Sequence, residues 1–243
     1  MLILALDTSS PVGSLAVLRD EQAIGVVSTF TNEIYSSRMF RHLEFLLHDL
    51  SLDLKEFDLF AVATGPGSFT GLRVGLAAVK GWSEVYSKPI AAVSALEAVA
   101  IQADSDAPTL VPVLDARRGQ VYFGYYRRIG DRTGKNLALE GGERVMTPDE
   151  FLQALHSSPL AAELEIVSPV PGLLLSAMSR YETEWRSVKR IRVREVSAIL
   201  APQVGRLGHR RAERGQLVNS LTLDANYVRR SDAELHWKAP AGS

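Results

Sequence analysis

Apolar side chains run unbroken from Leu2 to Leu6 and stop at Asp7, the pattern of a strand covered on both faces. Beyond the turn "TSSPVG", the stretches "GSLAVLR" and "AIGVVSTF" give two more strand-like runs, and the short turns between the three predict an antiparallel meander. The apolar spacing then shifts to a helical period. It predicts a helix from about Glu33 to Leu50 capped by Asn32, a strand over "LFAVAT", a helix from about Phe69, a strand over "IAAVS" and a helix from about Ala95. On the first helix Tyr35, Met39, Phe40, Leu43, Leu46, Leu47 and Leu50 make the inward stripe, and Ile34 and Phe45 fall on the opposite, otherwise polar side.

The same order then returns. "TLVPVLD" ends in Asp115 as "LILALD" ends in Asp7, 108 positions earlier, and the turn "ARRG" leads into "QVYFGYYRR". A third strand is expected in "LALEGGERVM", and a helix at "TPDEFLQAL" with Thr147 as cap and Pro148 in the first helical position. A strand "ELEIVS", a helix around "GLLLSAMSR", a strand "KRIRV" and a helix from about Ser197 to Arg214 close the series. Two copies of one order imply an internal duplication. Each copy is the βββαβαβα order of the ribonuclease-H-like fold, and two in tandem are the α/β layout of the actin-like (ASKHA) superfamily, each with a mixed central sheet. The polar stretch "DSDAP" divides residues 1–105 from 106–243, with the last helix expected to pack back on the first half.

Composition changes this picture little. A chain of 243 residues with 46% hydrophobic content can bury a sizeable core. No apolar run approaches the roughly 20 residues of a membrane span, and the N-terminal run has no charged residues before it, so neither a span nor a secretion signal is expected. No cysteine is present, which excludes disulfides and thiolate metal sites and leads us to expect the cytoplasm. A net charge of −1 argues against a chain that grips nucleic acid by itself. Even so, residues 181–230 hold eleven Lys and Arg against five Asp and Glu, which leaves two readings: a solvated face, or an RNA-facing patch that works inside an assembly.

The chemistry centres on "GPGSFTGLR", residues 65 to 73, where a strand runs into a glycine-rich turn and a helix. It is not a Walker A loop, because Gly65 and Gly71 are one residue too far apart and Leu72 and Arg73 stand where Lys and Ser or Thr belong. It is not a dinucleotide fingerprint either, since Thr70 occupies the third glycine position. A weaker anion site remains open at the helix start, with Gly67 and with Ser68 as cap. So does a close helix contact: Gly71, Val74, Gly75, Ala78 and Trp82 widen the apolar arc of this helix beyond what one core face needs, and the G-x-x-x-G spacing admits a neighbour. Asp7 and Asp115 end the first strand of each half. They are placed either to meet Mg²⁺ and phosphate, with Thr8 beside Asp7, or to cap their own turns. His42 and His48 are six apart, and neither H-x-x-x-H nor a G-x-S-x-G nucleophile elbow occurs.

"ILALDTSS", "GPGSFTGLRVGLAAVKG", "LDARRGQVYFGYY" and "NYVRR", in that order across residues 2 to 230, strongly resemble the TsaB (YeaZ) family. The resemblance implies a non-catalytic subunit that pairs with TsaD and works with the ATPase TsaE to install threonylcarbamoyladenosine at position 37 of tRNAs reading codons that begin with A. It implies no cofactor of the chain's own, with ATP and a metal ion on partner subunits, tRNA met only through the complex, and no membrane. It also implies a TsaD-binding surface on the first two helices that pairs with itself, as a homodimer, when TsaD is missing. On this chain that surface would comprise Ile34, Arg38, Phe45, Gly71, Val74, Gly75, Ala78 and Trp82. Two positions depart from the family: Tyr35 stands where many members have histidine, and Ala225 replaces the usual proline. The competing reading is an actin-like nucleotide-hydrolysing or carbamoyl-transferring enzyme that uses Asp7, Thr8 and the "GPGS" turn.

Overall fold

A computed structural model describes residues 1–31, 35–130, 136–157, 163–180 and 190–229. Along the first half run β1 (Leu2–Asp7), β2 (Val12–Arg19), β3 (Gln22–Phe30), α1 (Tyr35–Leu50), β4 (Leu59–Gly65), α2 (Phe69–Tyr86), β5 (Ile90–Ser94) and α3 (Ala95–Ala100). The second half repeats the series with β6 (Thr109–Arg117), β7 (Gln120–Ile129), β8 (Asn136–Met146), α4 (Pro148–Ser157), β9 (Glu163–Ser168), α5 (Gly172–Met178), β10 (Arg190–Glu195) and α6 (Ala201–Glu213). The strands form two sheets, ordered β3-β2-β1-β4-β5 and β8-β7-β6-β9-β10, so the two halves share one topology as well as one order. In each, the first three strands are antiparallel and the last two join in parallel, which makes both sheets mixed.

Alternation along β1 explains the layering. Leu2, Leu4 and Leu6 point to one face and pack with Met39, Leu43 and Leu46 of α1 and Leu76 and Val79 of α2. Ile3 and Ala5 point to the other and join a core that includes α3, α6 and, from the second sheet, Leu110 and Leu114. A third core lies on the far side of that sheet, where Val111 and Val113 meet Phe151, Leu152 and Leu155 of α4 and Leu174 and Ala177 of α5. The α3–α6 layer therefore sits between the two sheets. That is why β1 and β4 are buried along their whole length.

Helix ends follow local hydrogen bonding. Thr147 caps α4 as expected, and the cap is reciprocal: Thr147 Oγ1 accepts the Glu150 N–H at 3.3 Å while the Glu150 carboxylate accepts the Thr147 N–H at 2.9 Å. The last helix starts at Ala201 rather than near Ser197, because the Ser197 hydroxyl takes the Ile199 N–H at 3.0 Å and holds a non-helical turn. The expected cap of the first helix, Asn32, lies outside the described residues, as does Ile34.

Helix α6 crosses back to the first half and packs on β1, β2, β4 and β5. Its first N–H, at Ala201, donates to the buried Ser14 hydroxyl at 3.0 Å. Two glycines let it come close. A Cβ on Gly208 would stand 2.8 Å from the Ala61 Cβ and 3.3 Å from the Ala91 Cβ, whereas one on Gly205 would meet only the movable end of Leu18. Gly208→Val is therefore expected to cost about 1–3 kcal/mol in urea unfolding, and more than Gly205→Ala, whose neighbour can turn aside.

Candidate functional site

The glycine-rich turn is filled by its own chain. Strand β4 ends at Gly65 with φ +113°, a conformation that excludes most side chains, and a Cβ there would stand 2.9 Å from the Asn226 carbonyl oxygen. The β1–β2 turn then closes on the turn from the other side. Ser68 N–H donates to the Ser9 carbonyl at 2.7 Å. A Cβ on Gly67 would overlap the Ser9 carbonyl, one on Gly71 the Thr8 carbonyl, and one on Gly75 the Thr8 hydroxyl. Ser68 caps α2 as expected, its hydroxyl accepting the Gly71 N–H at 3.2 Å. The space a phosphate would need beside these amides holds Thr8 and Ser9, both buried. The turn does not fit a nucleotide phosphate.

This corrects the expected use of the glycines. The close approach that G-x-x-x-G permits is taken up inside the chain by Thr8, so Gly71 and Gly75 are buried and offer nothing to a partner helix. Arg38 is corrected too: it is 2% exposed, with Nη1 donating to the Thr29 carbonyl and Nη2 to the Pro11 carbonyl, each at 2.9 Å. It ties α1 to the sheet. Val74, Ala78 and Trp82 are half-buried against the core under α1 and α2, with the Trp82 ring 5.8 Å from Phe60. Phe45 is 61% exposed and Val85 73%, and so, against expectation, is Phe40 at 52%. Phe40 lies about 100° around the helix from Met39, on the flank of the stripe.

Asp7 and Asp115 each bind their own turn. Asp7 Oδ1 accepts the Ser9 N–H at 2.8 Å, and Asp115 Oδ1 accepts the Arg117 N–H at 2.7 Å, the same two-residue step in both copies. Their surroundings differ. Asp115 is partly exposed and lies 3.6 Å from Arg117. Asp7 is fully buried, and among the described residues its Oδ2 and the Thr8 hydroxyl have no hydrogen-bond partner. Among the described residues no three His, Cys, Asp or Glu gather as a metal site.

The signature "NYVRR" had no role legible in the sequence, and the structure gives it one. Asn226 N–H donates to the Thr64 carbonyl at 2.8 Å, Tyr227 stacks on Phe69 at 4.7 Å, and Arg229 Nη1 donates to the Ala116 carbonyl at 2.9 Å. The segment straps the α2 turn to the β6–β7 turn. Beside it a cleft of about 840 Å³ opens between α3, α6, β7 and β8. Several of its polar groups bond one another: Glu143 accepts from Ser94, Tyr126 and Asn226, and Arg211 pairs with Glu97 through Nη2, while Arg211 Nη1 has no hydrogen-bond partner among the described residues. Burial, then the Glu143 carboxylate, pushes the Tyr126 phenol up, so it stays protonated as a donor. Three arginines of the basic segment meet carboxylates elsewhere in the chain: Arg194–Glu165 at 2.6 Å, Arg192–Asp106 at 3.6 Å and Arg210–Glu21 at 2.9 Å.

Burial pushes the Asp7 carboxyl up from 3.8 to about 6, against the lowering effect of the Ser9 hydrogen bonds. The folded protein thus holds this proton more tightly than the unfolded chain. The ionisation penalty is absent below the unfolded value of 3.8, grows as pH rises, and is complete above about 6, where it amounts to roughly 3 kcal/mol. Asp7→Asn keeps the acceptor for Ser9 and removes the charge. In urea unfolding it is expected to be more stable than wild type by on the order of 2 kcal/mol at pH 7.5, with the gain gone near pH 4. A loss at pH 7.5 would show that the charge is needed, as it is for a cation ligand.

Comparison with known proteins gives the family. The family described as "TsaD: tRNA N6-adenosine threonylcarbamoyltransferase" matches residues 15–191. The chain is 37% identical to the tRNA threonylcarbamoyladenosine biosynthesis protein TsaB of Bacillus subtilis over 127 residues, 52% of this chain and 56% of that protein, so it spans little more than half of that relative. It is 33% identical to the TsaB of Haemophilus influenzae over 162 residues, 64% of this chain and 68% of that protein. In structure it is similar to YeaZ from Pseudomonas aeruginosa, with a TM-score of 0.73 at 24% identity over 93% of this chain and 99% of that one, which speaks for the fold. A sheet topology repeated in both halves and a shared sequence over most of one relative give the conclusion: the chain belongs to the TsaB (YeaZ) family of tRNA threonylcarbamoyladenosine biosynthesis proteins.

Proposed function

We propose that this chain is a non-catalytic subunit that binds TsaD and, with TsaE, activates threonylcarbamoylation of adenosine 37 in tRNAs reading codons that begin with A. The observation that carries the reading is the closed turn: Thr8 and Ser9 stand where a phosphate would have to lie against Gly67, Ser68 and Gly71. A chain whose phosphate turn is plugged acts by holding another. The nucleotide and metal then belong to the partner subunits, tRNA reaches this chain through the complex, and the work is done in the cytoplasm.

The docking surface is the outer side of α1 and α2. Phe45, Phe40 and Val85 expose apolar area there, and Val74, Ala78 and Trp82 add the half-buried floor between helix and core. Phe40 and Phe45 are five residues apart, about 140° around α1, so the surface wraps over the helix instead of forming one stripe. Exposed aromatic and aliphatic side chains around a half-buried tryptophan are the anchors of a protein interface. The same surface would pair two copies when TsaD is absent.

Co-purification with the cognate TsaD tests this. Phe45→Glu combined with Val85→Glu is expected to abolish recovery of TsaD while leaving the thermal midpoint of the free chain within a few degrees of wild type. Full recovery of TsaD by that variant, or ATP hydrolysis by the isolated chain that disappears on Asp7→Ala, would overturn the reading.

A further inference from the structure

Three segments far apart in the chain meet at one surface: the start of α2, the β6–β7 turn and the strap at residues 226–229. We propose that Arg73, Arg117, Arg118 and Arg229, together with the rings of Phe69 and Tyr227, form a ribbon by which this chain holds an unpaired stretch of RNA. The inference rests on the reading of the chain as a subunit of a tRNA-modifying complex, and it assigns the subunit a direct contact with the RNA.

The aromatic part is built in advance. The Arg73 guanidinium lies 3.8 Å from the centre of the Phe69 ring, Tyr227 lies 4.7 Å from the same ring at 36°, and Arg73 Nε donates to the Tyr227 hydroxyl at 3.3 Å. Tyr227 is still 42% exposed. A stack of flat groups with an open ring at its end is the platform on which an unstacked base is held, and each such base contributes about 1–3 kcal/mol.

The charged part is held outward at a cost. Arg117 and Arg118 adopt left-handed backbone at φ +60° and +55°, followed by Gly119 at +68°. Each non-glycine residue in that region costs about 1–2 kcal/mol, and glycine or asparagine would serve the turn with less strain. Asp115 steadies the turn through the Arg117 N–H, and Arg229 Nη1 ties the strap to the neighbouring Ala116 carbonyl. A guanidinium has five N–H groups, so one tether leaves others for phosphate oxygens. Elsewhere Arg194, Arg210 and Arg211 pair with Glu165, Glu21 and Glu97; here Arg117 lies 3.6 Å from the part-exposed Asp115, a contact open to water for which a phosphate can compete, and Arg73 contacts the Phe69 ring and the Tyr227 hydroxyl. The flat stack beside them matches the planar bases of RNA better than it matches the side chains of an acidic peptide.

The test is RNA binding by the reconstituted complex of full-length subunits, using a fluorescent anticodon stem-loop at several salt concentrations. Arg117→Glu with Arg118→Glu is expected to weaken binding by at least about tenfold and to flatten the slope of log affinity against log salt by about 1.4, two single-strand phosphate contacts. Arg117→Gly with Arg118→Gly, which suits the left-handed backbone, is expected to do the same with no loss of thermal stability, and so separates lost charge from misfolding. Unchanged affinity and slope in an intact complex would overturn the inference and leave the scaffold reading standing. Weakened assembly in the absence of RNA would overturn it as well, making the ribbon a protein-binding face. If wild type forms no complex, the scaffold reading fails, and the RNA arm is run on the chain alone at low salt, where binding lost in both variants supports the ribbon and equal binding sinks it.

Discussion

The contact of the Thr8 carbonyl with the first turn of α2 is the constraint on which the rest of this structure depends. β1 and β4 are parallel neighbours, paired from Ile3 with Leu59 to Leu6 with Val62, so their ends deliver two turns to the same place. Both cannot carry side chains there. The β1–β2 turn keeps its residues and the β4–α2 turn gives them up at Gly67, Gly71 and Gly75, which lets α2 lie close enough for Leu76 and Val79 to reach the core. The strap then seals the other side of the turn, with Asn226 against Gly65 and Tyr227 against Phe69.

One arrangement therefore accounts for two features that first point to different functions. A glycine-rich strand-to-helix turn is the usual place for a phosphate, and an acidic residue at the end of the first strand is the usual neighbour of a bound cation. Here the same closeness that removes the phosphate space also buries Asp7 completely, which raises its pKa and costs stability when it ionises. In this chain the centre of the arrangement is packing.

The duplicated order was legible in the sequence because each strand carries its own apolar run and each half spaces them alike. Helix α4 was legible because a capping box is local. What stayed hidden depends on neighbours distant in the chain. G-x-x-x-G says that something comes close without saying what, and Thr8 is more than sixty residues away. Arg38 reads as solvent-facing by type, yet two backbone carbonyls from the β1–β2 turn and β3 pull it inside. Phe40 belongs to the apolar stripe of α1 by spacing, but it sits on the flank of that stripe and stays half exposed. "NYVRR" was recognisable only by resemblance, since its three partners come from α2, β4 and β6.

The most direct measurement of the closed turn is a double-mutant cycle in urea unfolding. Alanine in an open helix position stabilises by up to about 1 kcal/mol over glycine, so sign alone is informative. Gly75→Ala is expected to destabilise, and Thr8→Ala to rescue most of that loss, because without the hydroxyl and methyl the nearest atom left is the Thr8 Cβ at 3.4 Å. Gly71→Ala is expected to destabilise and not to be rescued, since it meets the Thr8 backbone oxygen. If both glycine variants instead stabilise the free chain and Thr8→Ala changes neither, the turn is open and these glycines are kept for another molecule.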